Sequence, residues 1–387
     1  MFHKPEFVAT MNLNSSLSSS IIDPLDSITD FPKEEPGSMI MDQSSSNYSS
    51  LIQGLPDDIA LFCLARVPRK YHAVLKCVSK RWRDLVCSDE WRDYRQKNHL
   101  GESWIYALCR DKSTDQVSFY VLDPKCYWKS IPGFPSRCFK RKGMAFETIG
   151  TKLYLLGGCG WSEDATNEVY CYDVVMNTWS EAPPMSTARC YFGCESMDGK
   201  IYAIGGYGLD TNDPHTWDTY DPSTNSWESH SDPNIILDIE DSVVMDGKIY
   251  IRSRASTIPP HVYMAIYDPS TGKWQQTDAE MASGWRGPTV VVDDTLYALD
   301  QSLGTKLMAW NKNTREWGLI CRLSPLYPKP PCQMVAIGRN IFIIGKGFST
   351  VVLDIGSVGN SDGVTASSSL PIFPFDADVI TCRCVSI

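Results

Sequence analysis

Short apolar runs separated by turn residues recur along most of the chain at a nearly constant spacing. The clearest run places Tyr or Phe among branched or small apolar residues, as in LYLL at 153–156 and IYAI at 201–204. Its copies start at Ile105, Leu153, Ile201, Ile249, Leu296 and Ile341, 45 to 48 residues apart. A period in this range indicates one supersecondary unit repeated around an axis or along a stack.

A second line repeats inside the same units, where an Asp or Asn ends an apolar run, a polar turn follows, and a Trp begins the next run. The pairs are Asp123 with Trp128, Asp173 with Trp179, Asp221 with Trp227, Asp268 with Trp274, and Asn311 with Trp317. We expect the carboxylate to cap its own turn and Asn225 or Gly272 to adopt the left-handed conformation. Each unit then predicts about four short strands, and the repeated residues are expected to be structural.

A helical pattern occupies residues 55–95. A Pro followed by two acids at 56–58 is typical of a helix start, and apolar residues at helical spacing follow until Pro68. A second apolar stripe runs from Tyr71 to Val86. The pattern predicts a compact unit of roughly three helices, which needs a partner or the next domain to cover its apolar faces.

Composition narrows the function more than the fold. A net charge of −10 argues against a nucleic-acid binder, which would usually be basic. Fourteen Cys without a secretory signal are expected to be reduced and mostly buried, as in the cytoplasm or the nucleus. No stretch approaches the ~18 apolar residues that would span a membrane. Residues 1–50 hold twelve Ser and little that forms a core, so we expect a disordered tail there.

The repeat resembles a known family. Gly pairs at 157–158 and 205–206 follow the Tyr-containing run, and a Tyr and a Trp come later in the same units. From residue 104 the chain resembles the kelch-repeat β-propeller, although 252–253 and 300–301 lack the Gly pair. The resemblance implies an all-β propeller of five to seven blades, and the six copies favour six. The apolar run 379–385 is expected to complete blade one and close the ring.

The helical unit resembles an F-box. The residues that carry this resemblance are Leu55, Pro56, Asp58, Ile59, Leu64, Val67, Pro68, Val78, Ser79, Lys80, Trp82, Arg83, Asp84 and Leu85. With an F-box-like unit directly before kelch-like repeats, the chain resembles the F-box/kelch-repeat proteins, a chiefly plant family. We therefore expect a Ser-rich tail at 1–50, a small all-α F-box domain at 51–98 and a six-bladed kelch propeller at 99–387, closed by the C-terminal strand.

Partners follow from the same resemblance. It implies that the F-box faces the Skp-family adaptor of an SCF ubiquitin ligase, and through it a cullin. The residues implied to face the adaptor are Leu55, Pro56, Asp58, Ile59, Leu64, Val67 and Pro68. The segment 66–97 is basic, and it is interpreted either as solvated helix faces or as a second contact with an acidic adaptor.

Residues that would support catalysis or metal binding are scattered. Six His show no pair at metal-ligand spacing, and the Cys at 190, 194, 382 and 384 fit packed strands better than a metal site. No helix start with Lys and Ser or Thr follows the Gly pairs, as a phosphate loop requires. Residues 359–363 spell Gly-x-Ser-x-Gly, but in a polar stretch with no later His, so we expect a loop. We expect no cofactor, metal or catalytic residue.

The loops at one face of such a propeller gather polar and aromatic groups around its axis, and Arg and Trp are enriched at interaction hot spots. The target-binding candidates are Trp161, Arg189, Tyr207, Arg252, Arg254, Trp285 and Arg286. Each also has a structural interpretation, because an Arg at a blade corner often ties strands together.

The two motifs in series favour a non-catalytic substrate-recognition adaptor, which holds an unknown target protein for ubiquitin transfer. One alternative is a kelch-type enzyme or small-ligand-binding propeller, against which the absence of clustered His argues. Another is an F-box protein that sequesters its partner outside a ligase.

Overall fold

The computed structural model of the chain describes residues 50–123, 127–161, 164–208, 215–235, 237–253, 262–276, 279–324, 328–357, 365–369 and 376–387. Most of the Ser-rich tail, Arg254 and the Gly-x-Ser-x-Gly stretch lie outside these residues. The described chain begins with a group of helices and continues as six four-stranded antiparallel sheets.

The helical domain contains α1 (Asp57–Ala65), α2 (His72–Val78), α3 (Lys80–Cys87) and α4 (Asp89–Lys97), with a 3-10 turn at Arg69–Tyr71. Four α-helices thus replace the roughly three expected, because Ser79 breaks the second apolar stripe. Its backbone is extended (φ −158°, ψ 162°), and its hydroxyl accepts a hydrogen bond from the Trp82 amide at 3.1 Å as the N-cap of α3. Ser88 caps α4 in the same way, accepting from the Trp91 amide at 3.1 Å.

Each of the six sheets forms one blade. Blade one contains β1 (Ser103–Asp111), β2 (Val117–Leu122), β3 (Trp128–Ser130) and, from the C-terminus, β24 (Ala377–Ser386). Blade two contains β4 (Ala145–Ile149), β5 (Lys152–Leu156), β6 (Val169–Asp173) and β7 (Thr178–Ala182). Blade three contains β8 (Gly193–Met197), β9 (Lys200–Ile204), β10 (Thr216–Asp221) and β11 (Ser226–Ser231). Blade four contains β12 (Ile239–Met245), β13 (Lys248–Ser253), β14 (Met264–Asp268) and β15 (Lys273–Gln276). Blade five contains β16 (Thr289–Val292), β17 (Thr295–Asp300), β18 (Lys306–Asn311) and β19 (Glu316–Arg322). Blade six contains β20 (Gln333–Ile337), β21 (Asn340–Ile344), β22 (Thr350–Asp354) and β23 (Thr365–Ser369).

Shorter elements lie between the strands. They are α5 (Ala279–Gly284), before blade five, a 3-10 turn at Ser136–Cys138 between blades one and two, and 3-10 turns at Lys346–Phe348 and Ile355–Ser357 within blade six.

The sheets stand around a common axis, with β4, β8, β12, β16, β20 and β24 side by side at the centre. This confirms the expected six-bladed propeller behind a small helical domain. The ring closes at blade one, where β24 pairs antiparallel with β1 from Ser103↔Ser386 to Asp111↔Ala377. The last strand therefore covers the inner edge of the first one, an edge that would otherwise be exposed.

Loops leave the propeller at two opposite ends. The lower face carries the hairpins that join the first strand of a blade to the second and the third to the fourth, such as 150–151 and 174–177. The upper face carries the loops between second and third strands and the connections between blades, such as 157–168 and 183–192.

The repeated turn residues have the roles expected from the sequence. Oδ1 of Asp173, Asp221, Asp268 and Asn311 accepts a hydrogen bond from the main-chain amide two residues later, at 2.8 to 3.0 Å. Asn225 and Gly272 take positive φ values of 52° and 66°. The Trp that follows lies opposite an aromatic residue on the preceding strand, as with Tyr172 and Trp179, whose ring centroids are 5.1 Å apart.

The Gly pair permits close contact between a blade and its neighbouring connection. Gly157 has a φ of 61°, and a Cβ there would stand 2.4 Å from the Arg189 carbonyl oxygen. Gly158 donates from its amide to the same carbonyl at 2.8 Å. Only Gly combines this conformation with this approach.

The part of the chain that the structure describes contains no helix long and apolar enough to cross a membrane. Its thirteen cysteines are all unpaired, and most of them are buried or half-buried.

Candidate interaction surfaces

Helix α1 is apolar on two sides, and only one of them is buried. Ala60, Leu64 and Ala65 face the other helices. Ile59 and Phe62 lie on the opposite side, 46% and 44% exposed. A helix that is apolar all round needs a second apolar environment beyond its own small core.

Helix α2 shows the same division, since Leu75 is buried while Val74 and Val78 are 61% and 58% exposed. We name the resulting set the helical apolar surface, and it consists of Leu55, Ile59, Phe62, Tyr71, Val74 and Val78. It holds six of the thirteen large hydrophobic side chains that are exposed in the described chain. Such a concentration of exposed apolar groups is typical of interaction sites, which makes this surface a candidate.

The residues predicted to face an adaptor divide into two groups. Leu55, Pro56, Asp58, Ile59 and Pro68 are exposed. Leu64 is only 5% exposed and Val67 is half-buried, so both support the helical apolar surface from inside the domain.

Sequence reasoning included Phe62, Val74 and Val78 in the helical stripes but not among the contact residues. The signal that would have found them is the apolar character of both sides of α1 and α2.

Basic side chains attach the helical domain to the lower face of the propeller. Arg69 Nη2 donates to the Val174 carbonyl at 2.6 Å, and Lys76 Nζ donates to the Val175 carbonyl at 2.5 Å. Arg92 Nη1 reaches Thr151 Oγ1 at 3.4 Å. Part of the basic segment 66–97 therefore contacts the propeller itself, an arrangement that neither sequence interpretation included.

Buried polar groups complete this attachment. Arg95 is 2% exposed and donates to the carbonyls of Ala65, Val67 and Leu100 and, at 3.5 Å, to Glu102 Oε1. His72 packs edge-on against Trp91, and burial lowers its pKa to about 4. The orientation of the helices on the lower face is thus set by a dense polar network.

On the upper face, Trp161 is 92% exposed in the loop between β5 and β6. Tyr207 is 47% exposed, and its main chain pairs with Cys190 at 2.9 and 2.8 Å. Tyr191, which follows Cys190 in the sequence, is 43% exposed and was not among the predicted contacts. We name Trp161, Tyr191 and Tyr207 the upper aromatic patch, which extends over blades two and three.

Arg189, another predicted target contact, is fully buried. Its guanidinium donates to the Gly205 and Thr216 carbonyls at 2.9 and 3.0 Å, and it forms an ion pair with Asp218 at 2.9 Å. Both side chains of that pair are 0% exposed. Burial lowers the pKa of Arg189, and the charge of Asp218 opposes this shift. Arg189 joins the connection 183–192 to blade three, so burial removes it from the proposed target contacts.

The remaining predicted contacts are also mostly internal. Trp285 is 0% exposed and donates from Nε1 to Asp241 Oδ2 at 2.9 Å, and Arg252 is 4% exposed and pairs with Glu240 at 3.0 Å. Arg286 is exposed and donates from Nε to the Ser283 carbonyl at 3.1 Å. Arg254 lies outside the described residues. Trp161, Tyr207 and Arg286 therefore remain accessible.

Comparison with known proteins shows the same two-part organisation. A model of the F-box domain matches residues 52–93, and a model described as FKB95, Kelch-repeats domain, matches residues 104–346, more than half of the chain. The chain belongs to the F-box/kelch-repeat family. It is 53% identical to the F-box/kelch-repeat protein SKIP4 of Arabidopsis thaliana over 89% of this chain and 97% of that protein. It is 26% identical to the Arabidopsis F-box/kelch-repeat protein SKIP30 over 87% of this chain and 95% of that protein.

Membership in the family gives the two surfaces a context. F-box domains generally bind Skp-type adaptors, and F-box/kelch proteins generally act as non-catalytic substrate adaptors of SCF ligases. The helical apolar surface lies in the F-box match, and the upper aromatic patch lies in the kelch match.

The axis of the kelch propeller encloses a channel of about 520 Å³ lined by the central strands. Arg383 Nε pairs with Glu147 Oε2 at 2.8 Å, and Ser242 Oγ donates to Glu195 Oε1 at 2.7 Å. Burial, and after it the charge of Glu147, raises the pKa of Glu195 to about 8. Among the described residues, no three His, Cys, Asp or Glu are grouped to hold a metal ion. Ser196 Oγ also donates to Glu147 Oε1 at 3.3 Å, so these contacts together link blades one to four around the axis.

Proposed function

We propose that this protein is the substrate-recognition adaptor of an SCF-type ubiquitin ligase. Its F-box docks on a Skp-family adaptor, and through it on a cullin, while the kelch propeller holds a target protein. No residue of the chain performs chemistry in this proposal. Binding raises the effective concentration of target lysines near the ubiquitin donor.

The observation that carries the proposal is the helical apolar surface. Ile59, Phe62 and Val74 are exposed although the helical domain has its own core and is already attached to the propeller. Leaving them in water has a free-energy cost that a partner with an apolar groove removes. The F-box match supports a Skp-type adaptor as that partner.

The arrangement of the two surfaces also supports the proposal. Arg69, Lys76 and Arg92 attach the F-box to the lower face, whereas the upper aromatic patch lies at the opposite end of the propeller. A target on the upper aromatic patch and an adaptor on the F-box can therefore bind at the same time. We infer a cytoplasmic or nuclear site of action, in keeping with the unpaired cysteines.

Co-purification with a recombinant plant Skp-type adaptor tests the adaptor contact. We expect Ile59→Asp with Val74→Asp to reduce adaptor recovery by about tenfold or more. Each substitution removes an apolar contact and would bury an unpaired charge in the interface, and both changes weaken binding. Leu319→Asp is the matched control, because Leu319 is also 48% exposed but lies on the outermost strand of blade five. Equal recovery of the double variant and the wild type would show that this surface does not bind the adaptor.

The target contact is tested separately. Cross-linking and mass spectrometry under proteasome inhibition identify proteins held by the wild type. We expect Trp161→Ala with Tyr207→Ala to lose these proteins while adaptor recovery stays unchanged. Unchanged recovery of every captured protein would exclude the upper aromatic patch as the target site.

A further inference from the structure

A cavity of about 550 Å³ lies between the F-box helices and the lower face of the propeller. Five cationic side chains line it, and the lining includes no Asp or Glu: the cations are Arg69, Lys70, Lys76 and Arg92 from the helical domain and Lys129 from β3. The whole chain carries a net charge of −10, so this concentration of positive charge runs against its overall composition.

Two of these cations are held by neutral acceptors. Arg69 Nη2 donates to the Val174 carbonyl at 2.6 Å and to Tyr106 Oη at 3.3 Å, and Lys76 Nζ donates to the Val175 carbonyl at 2.5 Å. The Glu102 carboxylate accepts from the Arg69 main-chain amide at 2.8 Å, and Glu102 is not among the residues that line the cavity.

Two of the other cations have acidic partners of their own, and Lys70 is exposed, with its Nζ 4.6 Å from the centroid of the Tyr71 ring. Lys129 pairs with Asp123 at 3.4 Å, and Arg92 pairs with Asp89. Neither of these carboxylates lines the cavity. Ile387 also borders it, and its main chain, which carries the α-carboxylate at the end of the sequence given, pairs with the main chain of Glu102 at 2.9 Å in both directions. The lining therefore holds five cationic side chains against the single α-carboxylate of Ile387.

The Arg69 and Lys76 side chains leave bulk water with only neutral acceptors, which is unfavourable for a charge, and an anion that contacts them gains charge-assisted hydrogen bonds. The planar guanidinium of Arg69 suits a phosphate group in particular, and the volume is in the range of small-ligand sites. We infer that this cavity binds a small, multiply charged anion with phosphate groups. Because Arg69 and Lys76 belong to the F-box side and Lys129 to the propeller, the bound anion joins the two domains.

This site is separate from both proposed protein contacts. The adaptor and target experiments above are carried out without added anion, so their outcome does not depend on this inference.

Isothermal titration calorimetry of the full-length protein with sodium tripolyphosphate tests the inference. We expect saturable one-to-one binding that weakens as the salt concentration rises, with inorganic phosphate binding more weakly than tripolyphosphate. Arg69→Gln with Lys76→Gln should lower the affinity by about tenfold or more, since two charge-assisted hydrogen bonds are lost.

Arg69 and Lys76 also hold the domains together, so a second variant separates binding from assembly. Lys129 is 57% exposed and its ion pair is with Asp123 of the propeller, so Lys129→Gln leaves the Arg69 and Lys76 contacts in place and should still weaken tripolyphosphate binding, by about threefold. Lys312→Gln, which removes an ion pair with Asp246 on blades four and five, is the matched control and should bind like the wild type. An absence of saturable binding by the wild type, or equal affinity of the Lys129 and Lys312 variants, would overturn the inference.

Discussion

Arg189 offers the sharpest test of the assignment of upper-face residues. The structure makes it a structural residue, with four hydrogen bonds to Gly205, Thr216 and Asp218 at 2.9 to 3.1 Å. Arg189→Met removes all of these hydrogen bonds. The buried Asp218 carboxylate then keeps the hydrogen bond from the Thr187 amide, at 2.9 Å, but has lost its cationic partner. Breaking one partner of a fully buried pair costs about 3–5 kcal/mol, far more than an exposed pair would. We expect the free energy of unfolding to fall by that amount.

Urea denaturation followed by Trp fluorescence measures this loss. Asp218→Leu should be similarly destabilising, whereas the double variant Arg189→Met with Asp218→Leu should lose less than the sum, because no charge is left unpaired. Adaptor recovery should not change in any of them, since the F-box is on the opposite face. A wild-type unfolding midpoint for Arg189→Met, combined with loss of captured targets, would refute the reasoning and restore Arg189 as a target contact.

Three further predictions concern the buried titratable groups and the ring closure. His72 stays neutral in the folded protein, because burial lowers its pKa to about 4, whereas in the unfolded chain it takes up a proton near pH 6.5. The free energy of unfolding should therefore fall by about 1.4 kcal/mol per pH unit as the pH drops from 6.5 to 4. His72→Gln should flatten that slope in pH-dependent thermal denaturation, and an unchanged slope would contradict the assignment. Glu195 is protonated in the fold up to about pH 8 but ionised in the unfolded chain above about pH 4.5, so stability should fall as the pH rises through this window, and Glu195→Gln should raise the unfolding temperature more at pH 8 than at pH 5. Removal of β24 by truncation before Ala377 uncovers the inner edge of β1, so we expect the truncated chain to associate in size-exclusion chromatography and to lose cooperative unfolding in circular dichroism. A truncated chain with the elution volume and unfolding midpoint of the wild type would show that the closure is dispensable.

The propeller was predictable from sequence because its signals are local and repeated. An Asp that caps its own turn and a Trp opposite a Tyr act within a few residues, so each unit reads the same way wherever it stands in the ring. The closing strand was predictable for a topological reason, since blade one lacked one strand and a single apolar run remained at the C-terminus.

The interaction surfaces were less predictable because exposure depends on tertiary neighbours. Ile59 and Leu64 are both apolar residues of one helix, and only the packing of α1 on the other helices separates the exposed side chain from the buried one. Arg189 and Arg286 both lie in upper-face connections, yet Arg189 pairs with the buried Asp218 whereas Arg286 is exposed and donates to the Ser283 carbonyl. The attachment of Arg69 and Lys76 to carbonyls about a hundred residues away leaves no local signal at all.

The half-life of captured target proteins tests the central claim most directly. Proteins that co-purify with the wild type under proteasome inhibition are followed by pulse-chase in cells that express either the wild type or Ile59→Asp with Val74→Asp. The proposed adaptor role predicts that both versions bind the same targets, and that only the wild type shortens their half-life. Equal half-lives with the two versions, despite equal binding, would contradict it and would indicate a protein that sequesters its partner.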